Sequence, residues 1–252
     1  MTKVLAVHSH RGGTGKSSVA ANVATMMARD GLDVVLVDTD IQSPGLNVLL
    51  GLEAGDIEYA LSDYLVGTAD IMSTRHDLTD RIGPDAVGRL TLIPSRPNPA
   101  EITRLVGQGY DAGLLDEGLR TVLRRTRPDV LILDTHSGLT NETLVALAHA
   151  DSMAVVMRPD HQEYQGAGVS LTVTRRLNCP ATVLVLNMVD EDGDVDDMMS
   201  RSSQAYGRAV TAVVPYTRTM ARHPAAGLWV HHNPEHEVVP KFRTIVDRLL
   251  VG

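Results

Sequence analysis

The chain has 252 residues, 23 Lys+Arg against 31 Asp+Glu for a net charge of −8, and one cysteine, Cys179. A single cysteine excludes an intramolecular disulfide, a cysteine-ligated zinc site and a self-contained iron–sulfur site, and the acidic balance argues against a surface that coats nucleic acid throughout. No apolar run reaches the ~18 residues of a membrane span, one Phe and one Trp leave little for base stacking, and no signal-peptide pattern opens the chain, so a cytoplasmic protein is expected.

Helix and strand signals alternate from end to end, with no linker between them. This predicts one α/β domain over 1–252, doubly wound, with a mainly parallel sheet and helices on both faces. Lys3 to Val7 reads as a buried strand, and Val19, Val23, Met26 and Met27 recur at helical spacing up to Asp30-Gly31. The second strand, Val34 to Val37, runs into Asp38-Thr39-Asp40 and a loop from Ile41 to Asn47. Residues 56–83 read as short helices and turns. Leu90 to Ile93 is a strand closed by Pro94, Pro97 and Pro99 keep the next segment irregular, and a helix covers Leu114 to Arg125. Asp129 to Asp134 is a strand ending in an acid, followed by the loop Thr135 to Leu139 and a helix over Glu142 to His149. Then come a strand at Met153 to Met157, a helix over Gln162 to Arg176, and a strand from Ala181 to Leu186 that ends at Asn187. The acidic run Asp190 to Asp197 lacks the closing Glu of a calcium loop and reads as a solvated loop and helix start. Ala209 to Val214 is the last strand. The final helix, Val239 to Leu250, carries Phe242, Ile245, Val246, Leu249 and Leu250 on one face, expected to dock on the sheet rather than on a membrane.

The chemistry gathers on the loop His8 to Ser18 (HSHRGGTGKSS) between the first strand and helix. Glycines there let backbone N–H groups approach phosphate oxygens, and the helix dipole favours their charge. Lys16 is placed to reach the β- and γ-phosphates and Ser17 to bind Mg²⁺, although His10 stands where G-x-x-x-x-G-K-S/T begins with glycine. Asp134 fits the strand-end anchor of a P-loop Mg²⁺ site. Asp38 and Asp40, two residues apart, share a side if strand geometry continues. The pairs His8/His10 and His232/His236 are not read as metal sites, because Pro234 interrupts the second pair. Arg120, Arg124, Arg125 and Arg127 form the densest basic cluster, and Arg175-Arg176 a smaller one.

Arg11 to Ser17 (RGGTGKS) resembles the deviant Walker A motif, K-G-G-x-G-K-S/T, of the MinD/ParA family of dimeric ATPases. Asp38-Thr39-Asp40 is similar to the family's D-x-D switch I, and Asp134 to Gly138 (DTHSG) to its Walker B and switch II. Asn187 matches the strand-end Asn that contacts adenine, and Pro215 to Ala221 (PYTRTMA) the segment beside the base. The resemblance implies ATP and Mg²⁺ as cofactors and a homodimer that closes face to face over two nucleotides. The nucleotide would lie on Gly12, Gly13, Thr14, Gly15, Lys16, Ser17, Ser18, Asn187, Pro215 and Tyr216, and the metal on Ser17, Asp38 and Asp134. Asp40 would orient or activate the attacking water, Lys16 would neutralise developing charge, and Arg11, standing for the signature lysine, would reach the partner's phosphates. The implied function is a positioning or partitioning switch with a protein partner or cargo and a DNA or membrane surface. A non-hydrolysing scaffold, or a maturation or metal-delivery ATPase, remain alternatives. His136 replaces a proline common among relatives. Hydrogen bonding of its ring to backbone is expected, and a proton-linked switch is the alternative.

Overall fold

Among the described residues one sheet carries eight strands, seven of them on the apolar runs: β1 (Lys3–His8), β2 (Asp33–Asp38), β3 (His76–Asp77), β4 (Arg89–Ile93), β5 (Val130–Asp134), β6 (Ser152–Met157), β7 (Ala181–Val189) and β8 (Val210–Pro215). Their order is β3-β4-β2-β5-β1-β6-β7-β8, and every pairing is parallel except β3 with β4. The computed structural model describes residues 1–96, 111–160, 181–190, 192–222 and 228–251. The irregular segment at Pro97 and Pro99, Cys179, Arg175-Arg176 and the helix expected over Gln162 to Arg176 lie outside them.

Central strands buried on both faces need apolar residues at every position, and alternate residues then serve opposite layers. Leu5, Val7, Val34, Leu36, Val130 and Ile132 face one core, filled by α1 (Lys16–Arg29) and by Phe242, Ile245, Val246 and Leu249 of the helix Val239–Val251. Val4, Val35, Val37, Leu131 and Leu133 face the other layer, with Leu115, Leu119 and Val122 of the helix Ala112–Thr126. Farther along that face, Ala6, Val155 and Leu184 pack with Leu147 of the helix Asn141–His149 and Tyr206 of the helix Val195–Tyr206. The sheet is therefore doubly wound, as expected.

Local signals set the helix ends. Asp194 accepts the Asp197 N–H at 3.0 Å, so the acidic run caps the helix Val195–Tyr206 and places Asp196 and Asp197 in its first turn. Asp111 and Thr140 cap the helices after them in the same way.

Three details depart from the sequence expectation. The region of turns at 56–83 also contributes β3, a two-residue antiparallel edge strand. A pair so short is set by its register on β4, not by its own composition. β7 continues to Val189 past Asn187, through a bulge where Met188 adopts φ 56°. β2 stops at Asp38, so Asp40 is not on the strand and alternation does not place it.

The last helix docks on the sheet with Phe242 fully buried. Phe242→Ala should therefore cost about 3–5 kcal/mol of unfolding free energy. Denaturant titration checks this; a loss below about 1 kcal/mol would mean that the helix does not close the core.

Candidate functional site

Parallel pairing brings three strand ends into line. Asp38 of β2 lies opposite Asp134 of β5, and Asp134 lies opposite Val7 of β1, two residues before the loop. Hydrogen bonds carry the alignment past the strands: Thr39 N–H to the Asp134 carbonyl (3.0 Å), Thr135 N–H to the Val7 carbonyl (3.1 Å) and Gly138 N–H to the Ser9 carbonyl (2.9 Å). Open α/β sheets bind ligands at these carboxyl ends.

The loop at 9–15 then turns into α1. Gly13 and Gly15 adopt φ 79° and 83°, a conformation that L side chains rarely enter. A Cβ on Gly15 would also lie 2.4 Å from Asn187 Nδ2, so this position is closed to any side chain. Asn187 donates that amide to the Thr14 carbonyl at 2.7 Å, tying the end of β7 to the loop.

Lys16 is buried, and its ammonium donates to Asp134 Oδ1 at 2.7 Å and to Ser17 Oγ at 3.2 Å, with Asp40 Oδ2 at 4.0 Å. Asp38 is fully buried, and its carboxylate accepts N–H groups from Asp40 (3.1 Å), Gly45 (3.1 Å) and Leu46 (3.2 Å). It thereby holds the loop after β2. The two acids of Asp38-Thr39-Asp40 consequently diverge: Asp38 faces backbone, while Asp40 faces Lys16.

Three carboxylates against one ammonium leave excess negative charge in a dry place. Burial, then the neighbouring Asp134 charge, pushes the Asp38 carboxyl up to about 8. Burial also raises Asp134, against the opposing pull of Lys16 and Ser17. His8, at the end of β1, is held down at about 3 by burial and by Lys16, so it stays neutral at physiological pH. Its Nδ1 lies 3.0 Å from Thr135 Oγ1, which links the loop to the turn after β5.

Two adjoining cavities result. One of about 340 Å³ is lined by Ser9, Gly12 to Ser18, Asp40, Ser43, His136 and Ser137. The other, of about 120 Å³, is lined by Ser18, Asn187, Met188, Pro215, Tyr216, Thr217, Met220 and Ala221. Ser18 belongs to both, so a phosphate-sized polar cradle runs into a smaller, more apolar recess. The residues expected from the sequence to hold nucleotide thus come together here.

Arg11 does not line its own loop's cavity. Its side chain is exposed and pairs with Asp160 Oδ1 at 3.4 Å. The expected His136-to-backbone hydrogen bond is not what forms: its Nδ1 meets Asp40 Oδ1 at 2.6 Å. The ring lines the cavity, while the His136 carbonyl accepts from Thr143 Oγ1 at 3.2 Å. Ser43, Ser137, Met188 and Thr217 were not legible as site residues, since only the loop to which each belongs carries a signal. Among the described residues, no group of three or more His, Cys, Asp or Glu forms a metal cluster. A divalent cation at the loop would have different partners, the Ser17 hydroxyl and Asp134, and Asp38, expected as a third, instead spends both carboxylate oxygens on the backbone N–H groups of Asp40, Gly45 and Leu46. The fit is good, because Asp134 Oδ2 is buried without a hydrogen-bond partner among the described residues.

A family model described as an AAA domain matches residues 2–179. The chain belongs to the AAA domain family. Over 192 residues this AAA domain protein is 29% identical to an uncharacterised ATP-binding protein of Methanocaldococcus jannaschii, covering 76% of this chain and 66% of that one. It is 27% identical over 237 residues to the sporulation initiation inhibitor protein Soj of Bacillus subtilis, covering 90% and 89% of the two chains. The septum site-determining protein MinD of Pyrococcus horikoshii, solved with Mg-ADP, shares the fold with a TM-score of 0.81 at 18% identity. That match covers 100% of this chain and 98% of the MinD chain. The MinD/ParA resemblance read from the loop is borne out, as is the P-loop fold.

The Asp38 carboxyl moves from an ordinary value of 3.8 to about 8 on folding. Between those values the folded protein keeps a proton that the unfolded chain has lost. The associated stability is complete below about pH 4 and lost as pH rises through about 8. Nucleotide-free, metal-free protein should lose stability from about pH 5 to 8, with a slope approaching ~1.4 kcal/mol per unit that flattens in Asp38→Asn. Denaturant unfolding across the window checks this, and equal slopes in the two proteins would contradict a buried proton on Asp38.

Proposed function

We propose that the chain is an ATP-hydrolysing switch that dimerises over its nucleotide and positions or partitions a protein partner or cargo. The observation that carries the reading is the junction of the two cavities at Ser18, the larger of them lined by Lys16, which pairs with the buried Asp134. The polar cradle suits a triphosphate and the recess beside Asn187 and Tyr216 suits a base. The AAA domain family supports the same reading, as does the Mg-ADP bound to the P. horikoshii MinD.

In this reading the backbone N–H groups of Gly12 to Ser18 receive phosphate oxygens at the start of α1. Lys16 gives up Asp134 for the β- and γ-phosphates, and Ser17 with Asp134 holds Mg²⁺, while Asp38 fixes the loop that carries Asp40. Mg²⁺, when bound, neutralises charge on the β- and γ-phosphate oxygens. Asp40 orients the attacking water from the cavity wall. Arg11, exposed on the loop's outer side, is free to exchange Asp160 for the phosphates of a second copy. Because phosphoryl transfer asks little covalent chemistry of the protein, positioning and charge do most of the catalysis. The maturation or metal-delivery alternative is disfavoured by the single cysteine. A cytoplasmic location fits, and among the described residues no helix is long and apolar enough to cross a membrane. On the helix Ala112–Thr126, Arg120 is already paired with Asp116, which weakens the basic cluster as a DNA anchor.

Purified protein should hydrolyse ATP with Mg²⁺, and Lys16→Ala should lower turnover by about 10²–10³. Asp40→Ala should retain ATP and elute as a dimer without turnover, whereas Arg11→Ala should bind ATP as a monomer. Turnover by the wild type no faster than by Lys16→Ala would favour the non-hydrolysing scaffold instead.

A further inference from the structure

Asp40 is held from two sides. Its Oδ1 accepts the Ser43 N–H at 3.0 Å and meets His136 Nδ1 at 2.6 Å, while its Oδ2 faces Lys16 at 4.0 Å. The carboxylate oxygen accepts, so Nδ1 of the imidazole carries the proton. His136 is itself fixed, because its carbonyl accepts from Thr143 Oγ1 at 3.2 Å. Thr143 stands in the first turn of the helix Asn141–His149, so the ring is anchored to the far side of the site from the loop that carries Asp40. Both side chains line the 340 Å³ cavity.

We propose that His136 is a positioning residue for hydrolysis: it clamps Asp40 Oδ1, which leaves Oδ2 alone turned to the cavity to receive the water. The inference rests on the hydrolytic reading above. In the step it serves, the water oxygen bonds to the γ-phosphorus as the bond to the β–γ bridging oxygen breaks. One water proton passes to Asp40 Oδ2 and on to solvent, giving ADP and phosphate. A carboxylate free to rotate would present either oxygen, or neither, and small misplacements of a reacting group are costly. The contact also joins the loop after β2 to the turn after β5, adding a side-chain link to the Thr39 bonds with the Asp134 carbonyl.

The test uses the full chain with ATP and Mg²⁺ and three variants: His136→Ala, His136→Gln and His136→Asn. Asn places an amide N–H near the position of Nδ1, whereas Gln carries its amide one methylene farther out. ATP affinity and KM should stay within about 2-fold in all three, since Asp40 acts on water rather than on binding. Turnover should fall about tenfold or more in the Ala and Gln variants and recover to within about 3-fold of wild type in Asn. Turnover of His136→Ala within about 2-fold of wild type, or a loss confined to KM, overturns the proposal. Hydrogen exchange at Ser43 in nucleotide-free protein gives a second readout, expected to quicken in His136→Ala. If the wild type turns over no faster than Lys16→Ala, the hydrolytic reading fails. Quickened exchange then leaves the clamp standing without a catalytic role, and unchanged exchange removes the clamp as well.

Discussion

Everything in this site depends on a shortage of positive charge. Among the described residues, Lys16 is the one buried cation beside the strand-end acids Asp38 and Asp134 and the loop acid Asp40, and it spends its shortest contact on Asp134. A buried ion pair of this kind is poor evidence for stability, because the cost of desolvating both charges is comparable with their attraction. Its meaning lies in what it leaves over: one Asp134 oxygen with no hydrogen-bond partner among the described residues, and an Asp38 carboxyl driven toward its neutral form. A fold that accepts such strain is arranged for a ligand that brings its own cation, since only added positive charge relieves three carboxylates at once.

The sheet makes that shortage possible. Parallel strands expose their carboxyl ends on one edge, and the order β2-β5-β1 sets Asp38, Asp134 and the phosphate loop side by side. Apolar residues on both faces of these strands bury the ends as well as the middles, and so the acids are dry. The same apolar supply lets α1 pack beneath the sheet with Val19, Val23 and Met27 buried, directly behind the loop whose backbone it presents. Stability and function therefore share one layer: the helix that fills the core is also the helix whose N-terminus faces the cavity.

The two acids after β2 show how neighbouring residues acquire different work. Asp38 closes its carboxylate onto three backbone N–H groups and becomes part of the frame. Asp40, two residues on, turns the other way and meets Lys16 and His136. The divergence follows the end of the strand at Asp38, beyond which the Thr39 hydroxyl donates to the Asp134 carbonyl at 2.9 Å. A strand continued through Asp40 would have put both acids on one side, and neither role would be met.

Much of this was readable in the linear chain. Alternating apolar runs and helical periods specify a doubly wound sheet because burial on two faces and on one face leave different patterns, and the strands from Lys3 to Pro215 sit close to where those runs lie. Loop residues 12–18 were readable too, since a glycine-rich turn between strand and helix has few other uses. Short pairings such as His76–Asp77, the bulge at Met188 and the contact of His136 with Asp40 were not. Each depends on what lies across a gap of many residues, and composition carries no record of it. By itself, the sequence determined which residues would be dry and which loop would face phosphate, because burial and backbone freedom are local properties of residue type. Only the tertiary structure decided that Asp38 would hold a loop, that Asp40 would be clamped by a histidine, and that Lys16 would rest on Asp134. Those outcomes depend on distances between strand ends and between the loops beyond them, which the register of the sheet brings together.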